Sequence, residues 1–513
     1  MIKSNRIVIN MVALSIKIVV TCIVQLIGTR IALSALGGDA FGLYNLLAGI
    51  IILFTFLTGS LLISTQRYLS IAMGEHRNDK LCSIFNVSLF IHFISAIFIV
   101  ALLYSIKSFL FSYVLNIEEG YKHIAGIMYD IITISTSITI LSIPYSALMN
   151  AHEDMFAFAL IEISSLILKL FAALALLITP WDLLLTYTII MSFSIIWATI
   201  IKYIWCNCKY SEAKIQFKLM RNKTLFNEMV SFVAWNTLGS AAVVIRNQGV
   251  AVLLNMFYGT IINAAYGIAN QVNSLVLSFA TTLTTVFTPS IVQSKGEGNN
   301  NRMLRLAVLS SKLSFFISSL LALPILVFLD EILTLWLKDV PIYTNSFVFW
   351  IVLSFLIQQL YPGINRAIYA EGKIKAYQVS LSIILISILP VGFLLLKLKV
   401  DVVWVIITMF VLQIFTLIST IYYAKQHCNL EVLDFLKNSV LKPVVLFSVT
   451  FISFKYLEFG FAYDVNILAS LTAIFIMCII YSVLYYMFVL NDYEKHQLYS
   501  ALYNLLNHLF RNN

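Results

Sequence analysis

Charge is scarce in this sequence. Asp, Glu, Lys and Arg make up 11% of its 513 residues, against 60% hydrophobic residues and a mean hydropathy of +0.92. That leaves too little polar surface to cover a soluble globule of this length. Cysteine is sparse as well. Cys22, Cys82, Cys206, Cys208, Cys428 and Cys478 fall in spans or on the inner side, so no disulfide framework is implied, and Cys206-x-Cys208 lacks the second Cys or His pair of a metal site. No Gly-x-x-x-x-Gly-Lys-Ser/Thr loop occurs, which argues against ATP hydrolysis in cis, and Gly296-Glu297-Gly298 reads as the end of a loop. A Ser/His/Asp or metal-ligand grouping is missing too, as is a long outer loop. The chain is therefore not expected to be an enzyme or to carry a cofactor or metal.

What is present is length of apolar run. Stretches of about 20 apolar residues, the number a helix needs to cross hydrocarbon, recur about fourteen times from Ile7 to near Leu490. The first, Ile7 to Thr29, is too long for a signal-peptide core and has no small-residue cleavage site. The net charge of +9 does not point to nucleic acid, because most Lys and Arg residues fall in alternate loops, the positive-inside pattern. The longest stretch without a span runs from Lys202 to Lys223, and six of its residues are Lys or Arg against one Glu, Glu212. It fixes the orientation: both termini are expected on the cytoplasmic side.

The fold class expected is an all-α polytopic membrane protein with two parallel six-helix lobes around a central cavity, plus two extra helices. The boundaries follow as residues 1–205 for the first lobe, 206–224 for the basic cytoplasmic linker, 225–430 for the second lobe, 431–490 for the added spans and 491–513 for an amphipathic cytoplasmic tail striped by Leu498, Leu502, Leu505 and Leu509. The two lobes rest on internal repetition. Phe41-Gly42-Leu43-Tyr44-Asn45 returns as Tyr266-Gly267-Ile268-Ala269-Asn270, Gly74-Glu75 as Gly296-Glu297, Pro144 as Pro362, and Ala151-His152-Glu153 as Ala370-Glu371-Gly372, at an offset of about 220 residues. Six spans per half bring both halves in from the same side, so the repeats are parallel.

Charged and amide side chains inside spans mark the candidate site, since an intramembrane charge costs at least about 2.5 kcal/mol and is kept for a reason. In the first span Lys17, Thr21, Gln25 and Gly28 share a face, and Arg30 follows. The turn Leu36-Gly37-Gly38-Asp39 leads to Asn45, with Asp39 a cap for the next helix. His92 reads as a packing residue. Asp130 is either an ion-coupling residue or a solvated helix end. Glu162 and Lys169 lie two turns apart and each needs a partner elsewhere, so they are further candidates for H+ or Na+ coupling. The sixth span, Asp182 to Trp205, reads as apolar, lipid-facing scaffold. In the seventh, Arg246 with Asn247 and Gln248 offers a fork for phosphate or carboxylate oxygens. In the eighth, Tyr266, Asn270 and Asn273 form a face suited to sugar hydroxyls or to hydrogen bonds between helices.

Leu36-Gly37-Gly38-Asp39-Ala40-Phe41-Gly42-Leu43-Tyr44, Glu331-Ile332-Leu333-Thr334-Leu335-Trp336 and Ala370-Glu371-Gly372-Lys373-Ile374-Lys375, in this order along the chain, resemble the polysaccharide-export branch of the multidrug/oligosaccharidyl-lipid/polysaccharide (MOP, MATE-like) exporters. The resemblance implies a flippase in the bacterial inner membrane that moves undecaprenyl-diphosphate-linked oligosaccharide repeat units outward for O-antigen or capsule assembly. It also implies a lipid-linked oligosaccharide and membrane lipid as partners, no nucleic acid, and association with a polysaccharide polymerase or glycosyltransferases. A cationic cavity, as in that group, suits Lys17, Arg30 and Arg246. The related lipid II flippases carry an arginine pair with an adjacent acid in the first span, which Lys17 and Arg30-Ile31 do not reproduce. A cation-coupled multidrug antiporter of the same superfamily is the alternative that Asp130 and Glu162 keep open.

Overall fold

The computed structural model describes residues 2–52, 55–114, 117, 119–337, 340–461, 467–492 and 494–495. Among these residues every regular element is helical. Among the described residues eleven helices are long and apolar enough to cross a membrane, or twelve if the bent pair Thr344–Gln358 and Pro362–Glu371 is one span. The chain is thus a multi-pass membrane protein. The expectation of about fourteen spans puts its second where residues 53 and 54 are not described, and its last at a shorter apolar helix, Thr472–Phe488. The leucine stripe of the tail and the Asp39 cap lie outside the described side chains.

The helices gather into two compact units, one holding Ile9–Thr237, and so α1 from Ile9 on, and the other holding residues 2–8 with the described residues from Leu238 on. In the first unit, α1 (Ile2–Ile52) bends at Gly37, where φ 80 and ψ 171 break the helix. It is followed by α2 (Thr55–Gly74), α3 (Asn78–Phe109), α4 (Glu119–Ala151), α5 (Met155–Ala175) and α6 (Leu183–Lys209). The interior is built on α4, packed by α2, α3 and α6, with Phe85, Tyr129, Leu69 and Ile84 fully buried. Hydrophobic exclusion does not drive association inside lipid, so interlocking shape and buried hydroxyls such as the Thr65–Ser88 bond (2.8 Å) hold these helices together. His92 packs here as expected, its Nδ1 2.7 Å from the Ser88 carbonyl.

The next helix, α7 (Lys223–Gly296), bends at Gly259, with φ 75 and ψ −162. After it come α8 (Asn300–Val327), α9 (Leu329–Leu337), α10 (Thr344–Gln358), α11 (Pro362–Glu371), α12 (Lys375–Ile386), α13 (Ile388–Lys397), α14 (Val403–Cys428), α15 (Val432–Phe435), α16 (Lys442–Phe461) and α17 (Ile467–Phe488). Pro144 is accommodated inside α4, whereas its counterpart Pro362 starts a new helix, because α10 and α11 meet at a 43° bend. Lys312 on α8 is buried and takes both oxygens of Glu494 at 3.0 and 2.9 Å, while Tyr485 donates to the Lys312 carbonyl. The segment after α17 is thereby pinned to α8.

The duplication is written into the backbone. Left-handed residues occur at Gly37 and Gly259, at His76 and Gly298, and at Glu153 and Gly372, again about 220 residues apart. The Glu75–Lys80 ion pair (2.8 Å) recurs as Glu297–Arg302 (2.7 Å), and the Asn45-to-Phe41 side-chain bond recurs as Asn270 to Tyr266. Short signatures that looked weak singly therefore mark the same local conformations twice.

The first part of the linker is anchored to its own unit. Asp154 accepts from Tyr210 Oη (2.6 Å), Lys209 Nζ (2.7 Å) and Trp205 Nε1 (3.0 Å). His152 stacks on Tyr210 and pairs with Glu212 at 2.6 Å, and the Asn86 side chain holds the Lys214 carbonyl and the Gln216 amide. Burial works to raise both carboxyls, but the donors around them prevail and hold Asp154 and Glu212 below their ordinary values. Tyr210 is pushed up by its burial and by the Asp154 carboxylate.

Candidate functional site

Glu162 faces inward from α5, and the partners it requires come from two other helices. Lys202 of α6 places Nζ 2.7 Å from Oε1, and Lys17 of α1 places Nζ 4.0 Å from Oε2. Both ammoniums also stand over the ring of Phe158, one turn back on α5, at 5.0 and 5.2 Å from its centroid. Lys169 sits two turns on along α5, within electrostatic reach of Glu162. Three ammoniums against one carboxylate leave two positive charges in excess within this cluster of α1, α5 and α6. Lys202 is sealed, its side chain 8% exposed, whereas Lys17 and Glu162 keep 27% and 28%.

This arrangement corrects two expectations. Lys202 does not open the basic stretch without a span but lies buried within α6, and α6 is not scaffold alone. Its outer face does carry an apolar stripe of Ile189, Phe193, Trp197, Ile200 and Ile204, but its other face buries Thr188, Ser192 and Lys202. A lysine near the end of an aromatic helix looks like a loop residue in sequence. What could have found it was Glu162, a carboxylate with no partner on its own helix.

Of the other residues on α1, Gln25, Arg30 and Asn45 are exposed and lie outside the cluster, Asn45 bonding back to the Phe41 carbonyl. Asp130 is claimed by Lys107 at the end of α3, with Nζ 2.6 Å from Oδ1.

In the second unit Arg246 donates through Nε to Asn247 Oδ1 at 3.1 Å and lies in electrostatic reach of Tyr266 and Tyr361. Asn270 is used by the Tyr266 carbonyl, Asn273 keeps a buried Oδ1 with no hydrogen-bond partner in the structure, and Gln248 is exposed. Sequence reasoning overlooked the web around them. Tyr361 bonds Thr416 (2.9 Å) and Gln413, Tyr377 bonds Thr420 (3.1 Å) and Asn365, and Arg366 stands over Tyr369. Gln413, Thr416 and Thr420 form a legible polar stripe on α14, at helical spacing. Among the described residues no carboxylate lies within ion-pair distance of either Arg246 or Arg366.

The MatE family model matches residues 237–395. No curated protein matches the sequence. Solved structures do share the fold. A MOP superfamily transporter from Pyrococcus furiosus superposes with a TM-score of 0.73 at 12% identity, over 83% of this chain and 96% of that one, and is described as having a binding pocket of reverse polarity that suggests a different function. A mutant of the Vibrio cholerae MATE transporter VcmN gives 0.71 at 14% identity, over 84% and 98%. An outward-facing multidrug resistance MATE transporter of the MOP superfamily gives 0.71 at 13%, over 83% and 96%. At these identities the likeness defines a class of fold: an all-helical membrane protein with the MATE transporter architecture.

Proposed function

We propose that this chain is a flippase carrying undecaprenyl-diphosphate-linked oligosaccharide repeat units from the cytoplasmic to the periplasmic leaflet of a bacterial inner membrane by alternating access. The observation that carries the reading is the lysine cluster. An excess of positive charge kept within spanning helices is costly, and an anionic headgroup is the ligand that repays it. Lysine suits this task, being a compact point charge able to turn its donors toward phosphate oxygens. The isoprenoid tail stays in lipid throughout, so only the diphosphate and sugars need a polar path. Arg246, Arg366 and the neighbouring tyrosines and amides offer further charge and sugar-binding groups in the second unit.

The duplicated architecture supports alternating access, in which one repeat rocks against the other around a fixed site. The multidrug transporters that share the fold make drug export the rival. An antiporter needs a carboxylate free to exchange its cation, yet Asp130 and Glu162 each hold a lysine. The reversed pocket polarity described for the Pyrococcus furiosus relative is a precedent for this fold serving another function.

The test compares cells lacking the protein with cells given back wild type, Lys17→Ala or Arg246→Ala. Surface polysaccharide, inner-leaflet lipid-linked sugars and drug susceptibility are measured together. Loss of polysaccharide with lipid-linked units trapped inside, restored by wild type but not by the variants, is expected. Intact glycan with raised drug sensitivity would replace the flippase by the antiporter.

A further inference from the structure

Resting on that reading, we infer that Glu162 sets the net charge of the lysine cluster and so makes it select a diphosphate capped at both ends over one with a free end. Lys202 is hydrogen-bonded to Oε1, but Lys17 stands 4.0 Å from Oε2, beyond a hydrogen bond. Among the described residues neither Lys17 Nζ nor Lys169 Nζ has a hydrogen-bond acceptor. Two ammoniums therefore keep their donors for a ligand, while the third is spent on the carboxylate.

The charges match one class of headgroup. A diphosphate esterified to a prenyl chain at one phosphorus and to a sugar at the other has one ionised oxygen per phosphate, two in all. It neutralises an excess of two. A prenyl diphosphate with a free terminal phosphate carries close to three charges above that group's second pKa of about 6, and its third charge meets Glu162 rather than a free ammonium. A monophosphate diester leaves one lysine unmatched. Glu162 thus separates the sugar-loaded carrier from the unloaded one by counting charge, with no contact to the sugar.

The experiment uses the full chain in nanodiscs at pH 8 and two synthetic probes, farnesyl diphosphoglucose and farnesyl diphosphate, with binding followed by intrinsic tryptophan fluorescence. Wild type is expected to favour the capped probe. Glu162→Gln leaves three ammoniums unopposed, so the free-ended probe should gain most and the preference should move toward it by about tenfold. Glu162→Asp keeps the charge and should keep the wild-type preference, which controls for misfolding. An unchanged probe ratio in Glu162→Gln, or the same shift in Glu162→Asp, overturns the inference. Failure of wild type to bind either probe would instead strike at the headgroup reading of the cluster.

Discussion

Lys202→Met is the sharpest perturbation of the cluster. It removes the only hydrogen-bonded partner of Glu162 among the described residues and leaves a 28%-exposed carboxylate facing Lys17 at 4.0 Å. Breaking a buried pair by deleting one member costs about 3–5 kcal/mol, because the survivor is left uncompensated. Glu162 keeps some exposure and Lys17 can swing closer, so the low end, about 3 kcal/mol, is expected. For a unit of this size that corresponds to a fall in melting temperature of about 6–12 °C. The assay is thermal unfolding of purified protein in one detergent for wild type, Lys202→Met, Glu162→Gln and the double variant. Since the cost comes from the orphaned charge, the double variant should recover most of the loss. Two single losses that simply add in the double variant, or a Lys202→Met protein as stable as wild type, would show that an orphaned carboxylate is not the source of the loss.

Gly37→Ala and Gly259→Ala place a Cβ at φ 80 and 75 in a region open mainly to glycine. Each should cost about 1–3 kcal/mol in thermal unfolding, and similar losses at both would bear out their equivalence in the repeat. Glu494→Ala orphans the Lys312 ammonium, 2% exposed, and should destabilise by about 3–5 kcal/mol, whereas Asn438→Ala at the exposed Asp434 contact should change melting little. The linker anchorage should be acid-sensitive in one direction only. The depressed Asp154 and Glu212 contribute stability that is complete above the ordinary values of 3.8 and 4.5 and is lost as pH falls through their lower folded values. Proteolysis after Lys214, probed by pulses with an acid-tolerant protease, should therefore stay slow at pH 5 and quicken only below the ordinary range. Acceleration already at pH 6 would contradict this.

Much of this architecture could be read from one dimension. Apolar runs located the spans because each must satisfy its backbone internally. Pairs such as Gly74-Glu75 and Gly296-Glu297 marked the repeat because both copies turn through the same left-handed step. The kink at Gly259 was less visible, since Tyr258-Gly259-Thr260 lacks the double glycine of Gly37-Gly38. The candidate site was half legible. Lys17, Glu162 and Lys169 stood out as charges in apolar context, but nothing in their spacing joins α1 to α5. Lys202 was hidden by its neighbours: next to Trp205, Lys209 and the rest of the basic stretch, it had the look of a snorkelling loop lysine. The tyrosine web around Arg366 was obscured for the opposite reason. Tyr, Thr and Gln are unremarkable one at a time in a chain with 26 tyrosines, and only the close approach of α11, α12 and α14 gives them a common purpose.

The most direct test of the central claim is transbilayer movement itself. Purified protein in proteoliposomes with a fluorescent undecaprenyl-diphosphate oligosaccharide is assayed by how fast a membrane-impermeant quencher or glycosidase gains access to the inner-leaflet pool. Movement should be faster than in protein-free vesicles, abolished together by Lys17→Gln and Lys202→Gln and unchanged by Asn45→Ala. Wild-type protein that is folded and correctly inserted yet moves the lipid no faster than bare vesicles would contradict it.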